Sequence, residues 1–193
     1  MIPQLGDAAP RRGGRLSRSV AGFLLRRLGW AFEGELPDLP KAVIIVAPHT
    51  TNWDFVLGIT AMFALGVRVS WLGTHTVFRP PFGRLFRWLG GIAVDRKASS
   101  GVVEQMVTAF RSREELILGL APEGSRSRVA RWRTGFYHIA VGAGVPIVPT
   151  TFDYPRRVVR LGAPLTPSGD LAADMDHLQA FSRHEVNVRR PPP

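Results

Sequence analysis

The 193-residue chain contains no cysteine. That absence excludes disulfides, thiolate metal centres, iron–sulfur clusters and thiol nucleophiles, and it agrees with a reducing compartment. Lysine is nearly absent too: of 25 cations, only Lys41 and Lys97 are lysine and 23 are arginine. The planar arginine fork suits bidentate phosphate contacts, although an Ala/Arg/Gly-leaning genome gives the same bias. Membrane-spanning signals are missing as well. The apolar segment 55–67 is thirteen residues long and broken by Gly58, Thr60 and Gly66, whereas a spanning helix needs about 18 to 20. It reads as a core helix. Arg26 and Arg27 cut the short apolar run near the N-terminus, and no small-residue cleavage site follows, so no signal peptide is expected.

What is present in excess is positive charge, +10 net, which directs attention to polyanions: nucleic acid, an anionic membrane or phosphorylated substrates. The charge is local. Residues 1–30 hold six Arg against Asp7, residues 68–97 hold five Arg and Lys97 against Asp95, and the remaining 13 basic and 13 acidic residues cancel.

Residues 1–14 carry Pro3, Pro10, Gly6, Gly13 and Gly14 and are expected to form a mobile leader. Over 15–30, Leu16, Val20, Phe23, Leu24 and Leu28 recur at helical spacing, with Leu25 opposite them. That stripe suits a helix on an anionic interface and equally one packed on a core. Residues 42–47 are a continuous apolar, β-branched run, as in a strand buried on both faces. Strands near 67–72, 92–94, 116–120, 146–151 and 157–161 then alternate with helices starting at 51 or 52, near 103–110, near 134–141 and after 170. This alternation predicts a single α/β domain over 31–188, with a largely parallel mixed sheet flanked by helices, and a frayed tail at 189–193.

His49 follows the first buried strand and precedes a helix, where α/β sheets tend to place their sites. Asp54, five residues on, falls in the first helical turn and is suited to orient the imidazole as a general base. With no G-x-S-x-G elbow and no thiol, such a base would act on a hydroxyl of the substrate; a satisfied loop histidine is the alternative. After the strand 116–120, Glu123, Gly124, Ser125, Arg126 and Ser127 combine close backbone approach, hydroxyls and a phosphate-suited guanidinium. His75, His138, His177 and His184 show no metal-ligand spacing, and no metal is expected.

The blocks His49-Thr-Thr-Asn-Trp-Asp54, Gly90-Gly-Ile-Ala-Val-Asp-Arg96, Pro122-Glu-Gly-Ser-Arg126 and Val145-Pro-Ile-Val-Pro149 resemble, in order and spacing, those of the PlsC-like glycerolipid acyltransferase family. The resemblance covers roughly residues 40–152 and implies the fold of that family. It also implies acyl transfer from acyl-CoA or acyl-carrier protein to the hydroxyl of a lysophospholipid such as 1-acyl-glycerol-3-phosphate, without cofactor or covalent acyl-enzyme. In that reading His49 is the base and Asp54 orients it. Arg96, Glu123, Gly124, Ser125 and Arg126 bind the head group, and Pro146 and Trp53 line the acyl or acceptor pocket. Other acceptor lipids, thioester hydrolysis and a non-catalytic lipid- or nucleic-acid-binding role stay open.

Residues 78–89 interleave Arg79, Arg84 and Arg87 with Phe78, Phe82, Phe86 and Trp88. Such a pattern fits stacking on single-stranded bases, a headgroup-level anchor or core aromatics under solvated arginines. Because it leads into the second block, the membrane reading is preferred and no nucleic acid partner is expected. The protein is then expected in the cytoplasm, peripheral at the inner face of the cell membrane.

Overall fold

The computed structural model describes residues 2–48, 52–95, 101–123 and 132–186. Its elements, in chain order, are α1 (Arg15–Arg27), β1 (Ala31–Glu33), β2 (Lys41–Val46), α2 (Asn52–Leu65), β3 (Val69–Thr74), α3 (Gly83–Trp88), β4 (Gly91–Val94), α4 (Gly101–Arg111), β5 (Leu116–Leu120), α5 (Gly135–Ala143), β6 (Ile147–Asp153), β7 (Val158–Leu161) and α6 (Leu171–Val186). The strands form one seven-stranded sheet in the order β1-β7-β6-β2-β5-β3-β4. Every pairing is parallel except β6 with β7. The expected α/β fold with a largely parallel mixed sheet is therefore present.

The continuous apolar run of β2 has a simple cause: the strand lies in the middle of the sheet and is covered on both sides. Ala42 and Ile44 pack with α1 and α2, whereas Val43 and Ile45 pack with α4, α5 and α6. Strand β1 and helix α3 escape the sequence reading. Each is short, three and six residues, so neither shows a full period of hydrophobic alternation.

The start of α6 is fixed by a polar knot. Asp170 Oδ1 accepts the Ala172 and Ala173 N–H groups, as an N-cap does. Asp174 accepts from the Tyr137 hydroxyl and from the Ser168 N–H, both at 2.8 Å. Burial raises the Asp174 pKa, but these hydrogen bonds outweigh it and hold the carboxyl below its ordinary value.

The leader, expected to be mobile, is placed against the domain. Ile2 and Leu5 pack on the core and Ala9 is buried. The Ala8 and Ala9 N–H groups donate to Asp38 Oδ1 at 2.8 and 3.0 Å, while Arg12 N–H donates to Gly66 O and Arg68 N–H to Pro10 O. The Arg12 guanidinium lies over the rings of Phe63 and Trp88, 4.8 and 5.0 Å from their centroids, so one cation clips the leader to α2 and α3 at once. Proline and glycine here spare the segment from secondary structure without preventing it from docking.

Helix α1 settles the direction of its stripe. It turns Ala21, Gly22 and Leu25 inward against α2, and leaves Leu16, Val20, Phe23, Leu24 and Leu28 exposed. The expected apolar stripe is thus the outer face, and the residue opposite it makes the core contact.

Candidate active site

In a parallel sheet the carboxyl ends of the strands share one edge, and here β2, β5 and β4 bring three sequence blocks to it. The register pairs Ile45 with Leu120 and Val46 with Thr150, so β2 and β5 end side by side. Asp54 stands in the first turn of α2 immediately beyond β2, and Glu123 in the turn beyond β5. Strand β4 ends at Val94, paired with Thr74, and the next residue is tied to α4 by Gln105 Nε2 donating to Asp95 O at 3.0 Å. His49, Arg96, Gly124, Ser125 and Arg126 lie outside the described residues, as does the 189–193 tail.

Asp54 is 2% exposed and Glu123 is 7% exposed. A buried carboxylate is costly unless hydrogen bonds hold it. Asp54 Oδ1 accepts a hydrogen bond from the Tyr154 hydroxyl. The Tyr154 ring is itself braced by Trp30 in an edge-to-face contact, centroids 5.2 Å apart. Tyr154, exactly 100 positions away in the chain and beyond the fourth block, is invisible to local motif reading; only the topology, which places β6 beside β2, brings it in.

Below Asp54 a cavity of about 290 Å³ opens between α2 and the sheet. Its walls are apolar: Ile44, Met62, Val69, Leu120, Phe152 and Leu161 are among them, with Asp54 and Thr150 contributing polar groups. Gly58 keeps it open on the α2 side. A Cβ added there would meet only the Phe152 ring, at 3.7 Å. Ring contacts between Phe55 and Trp71, centroids 5.0 Å apart, brace the wall near β3. A carboxylate at the end of an apolar cavity of this size is suited to hold a hydrocarbon chain with its polar end at the sheet edge.

Two expected pocket residues are placed elsewhere. Trp53 is 71% exposed and lines no part of the cavity, because the inward positions of α2 are Asp54, Gly58, Ala61, Met62 and Leu65, spaced by three or four residues. Pro146 precedes β6 at the opposite, amino edge of the sheet, where its carbonyl accepts the Val43 N–H at 2.9 Å. The fourth block reaches the cavity through the residues that follow it, Thr150 and Phe152.

A sequence model of the acyltransferase family matches residues 31–153. The chain is 31% identical over 112 residues to the 1-acyl-sn-glycerol-3-phosphate acyltransferase of Escherichia coli (strain K12), covering 55% of this chain and 44% of that protein. It is 28% identical over 149 residues to the protein of the same name from Haemophilus influenzae, covering 72% and 61%. The chain thus spans about half the length of the curated relatives it matches. Among solved structures, the 1-acyl-sn-glycerophosphate (LPA) acyltransferase PlsC from Thermotoga maritima superposes with a TM-score of 0.63 at 13% identity, over 92% of this chain and 80% of that one. At that identity the likeness is one of fold.

The Tyr154–Asp54 bond is testable by itself. Tyr154→Phe should lower stability in urea unfolding by about 1–3 kcal/mol, the cost of a donor lost to a buried acceptor. In an Asp54→Ala background the same change should cost less than half as much; equal costs in both backgrounds would show that the two residues are not coupled.

Proposed function

This chain belongs to the acyltransferase family, and from that premise we propose that it moves a fatty acyl group from a thioester donor to the free hydroxyl of a lysophospholipid such as 1-acyl-glycerol-3-phosphate. The observation that carries the reading is the buried Asp54 carboxylate at the end of the apolar cavity. The donor is acyl-CoA or acyl-carrier protein, and no cofactor or metal takes part.

In the proposed mechanism His49 takes the proton of the acceptor hydroxyl while Asp54 fixes the imidazole and stabilises the imidazolium. The acceptor oxygen adds to the thioester carbonyl, the carbon–sulfur bond breaks, and the thiolate leaves with the proton that His49 returns. The products are an ester and a free thiol, with no acyl-enzyme between them. Arg96, Glu123, Gly124, Ser125 and Arg126 hold the acceptor's phosphate and glycerol. Burial of Asp54 matters here because electrostatic positioning is strongest where water is excluded.

An anionic bilayer surface is the proposed workplace. No helix among the described residues is long and apolar enough to cross a membrane. Exposed apolar side chains nevertheless cluster on three neighbouring elements: Leu16, Phe23 and Leu28 on α1, Trp53 and Val56 on α2, and Leu85 and Trp88 on α3. Helix α1 packs along α2, and α3 touches α2 through Trp88 and Phe63, 5.7 Å between centroids. Arginines 15, 18, 26, 27, 84 and 87 lie among them, the composition of a headgroup-level anchor.

His49→Ala should reduce acyl transfer from acyl-CoA to 1-acyl-glycerol-3-phosphate by about 10²- to 10⁴-fold, with an unchanged circular dichroism spectrum. Full activity in that variant would sink the base assignment. In liposome flotation the protein should rise with vesicles containing anionic lipid, less so as salt increases. The double variant Phe23→Gln/Leu24→Gln should leave most of the protein at the bottom of the gradient, and flotation equal to wild type would remove α1 from the interface.

A further inference from the structure

Strand β6 carries two buried threonines whose hydroxyls have no hydrogen-bond partner among the described residues, Thr150 and Thr151. Alternation along the strand sends them to opposite faces. Thr150 shares the face of Val148 and Phe152, which pack with α1 and α2, and it lines the cavity. Thr151 faces the other side, with Ile147, which packs with α5 and α6.

Thr150 is 5% exposed. A hydroxyl so deeply buried without a partner is less favourable than a valine of the same shape, which strand geometry would accept equally well. The described residues around it offer no partner. Among the described lining residues the other hydrogen-bonding side chains are Asp54, which accepts from Tyr154, and Trp71, whose indole N–H donates to Leu89 O at 3.2 Å. Thr150 is also placed at a particular depth. It is level with Val46, the last residue of β2, and with Leu161 on β7, so it sits where β2 ends, at the sheet edge beyond which Asp54 stands. A plain alkyl chain would satisfy the cavity walls and leave this hydroxyl unbonded; an oxygen at the polar end of that chain would satisfy both.

We propose that the Thr150 hydroxyl binds an oxygen carried by the acyl donor at, or within a few bonds of, its reacting carbon. The inference rests on the acyl-transfer reading and adds to it a polar subsite at the top of the hydrocarbon cavity. Two oxygens have the right chemistry. One is the thioester carbonyl, which accepts a hydrogen bond and gains negative charge as the acceptor adds to it. The other is a hydroxyl on the third carbon of the acyl chain, which would make the enzyme selective for hydroxylated acyl groups.

Thr150→Val removes the hydroxyl at constant shape, and Thr150→Ser restores it. Wild type and both variants are compared in transfer to 1-acyl-glycerol-3-phosphate from tetradecanoyl-CoA and 3-hydroxytetradecanoyl-CoA. Calorimetric binding of tetradecanoate and 3-hydroxytetradecanoate is measured alongside, since it needs no turnover. If the carbonyl is the ligand, Thr150→Val lowers kcat about tenfold with both donors and leaves KM in place. If the chain hydroxyl is the ligand, it weakens only the 3-hydroxy donor and the 3-hydroxy acid, by about tenfold. Thr150→Ser recovers most of the loss in either case. Turnover and binding within twofold of wild type for Thr150→Val, or a wild type that binds neither acid, would overturn the inference. A wild type that binds both acids, discriminates through Thr150 and yet acylates no lysophospholipid would leave the subsite standing and retire the acyl-transfer reading instead.

Discussion

One carboxylate sets the terms for the rest of the molecule. Asp54 is almost completely buried, and a charged group withdrawn from water must be held by fixed partners or be lost as a charge. Its partner Tyr154 follows the end of β6, so the first turn of α2 is pinned to a strand that begins in the fourth block. With α2 anchored at that end, the helix lies over β3, β5, β2 and β6 with small residues, Gly58 and Ala61, facing the sheet. The cavity is the space those small residues leave. Protein interiors are close-packed as a rule, and this apolar space under a helix is where the proposed acyl chain fits.

The outer surface answers a different constraint. Part of the excess positive charge belongs to structure: Arg12 is spent on holding the leader between Phe63 and Trp88. Arg15, Arg18, Arg26 and Arg27 lie on or at the ends of α1 and Arg84 and Arg87 on α3, helices that carry exposed apolar side chains. Among the described residues, the excess charge is thus shared between an internal clip and two helices with exposed apolar faces, while Asp54 and Glu123 stand buried at the sheet edge.

The parts of the fold that were legible in the sequence are those whose causes are local. The apolar run of β2, the strand β5 at 116–120 and the helical period of α4 follow from which faces are covered, and burial leaves a periodic trace. The chemistry-bearing blocks were legible because their residue types and order are unusual together. What was not legible depends on partners distant in sequence. The leader docks through Asp38 and Gly66, which its own Gly and Pro content cannot announce. Tyr154 and Thr150 gain their meaning from the β2–β6 register. Trp53 and Pro146 were carried to the pocket by block membership, and helix periodicity and strand direction, both readable in principle, place them elsewhere.

The central claim is that the cavity beneath α2 holds the donor's acyl chain with its reacting end at the Asp54 edge. Gly58 offers the most direct test, since it lines the cavity, a Cβ added there would meet only the Phe152 ring among the described residues, and replacing a glycine inside a helix does not weaken the helix. The measurement is mass spectrometry of the phosphatidate formed from 1-acyl-glycerol-3-phosphate and an equimolar mixture of saturated acyl-CoAs of graded length, with wild type and Gly58→Leu side by side. The account predicts that the variant's products shift to shorter acyl chains while its rate with the shortest donors is retained. An unchanged chain-length distribution would contradict it.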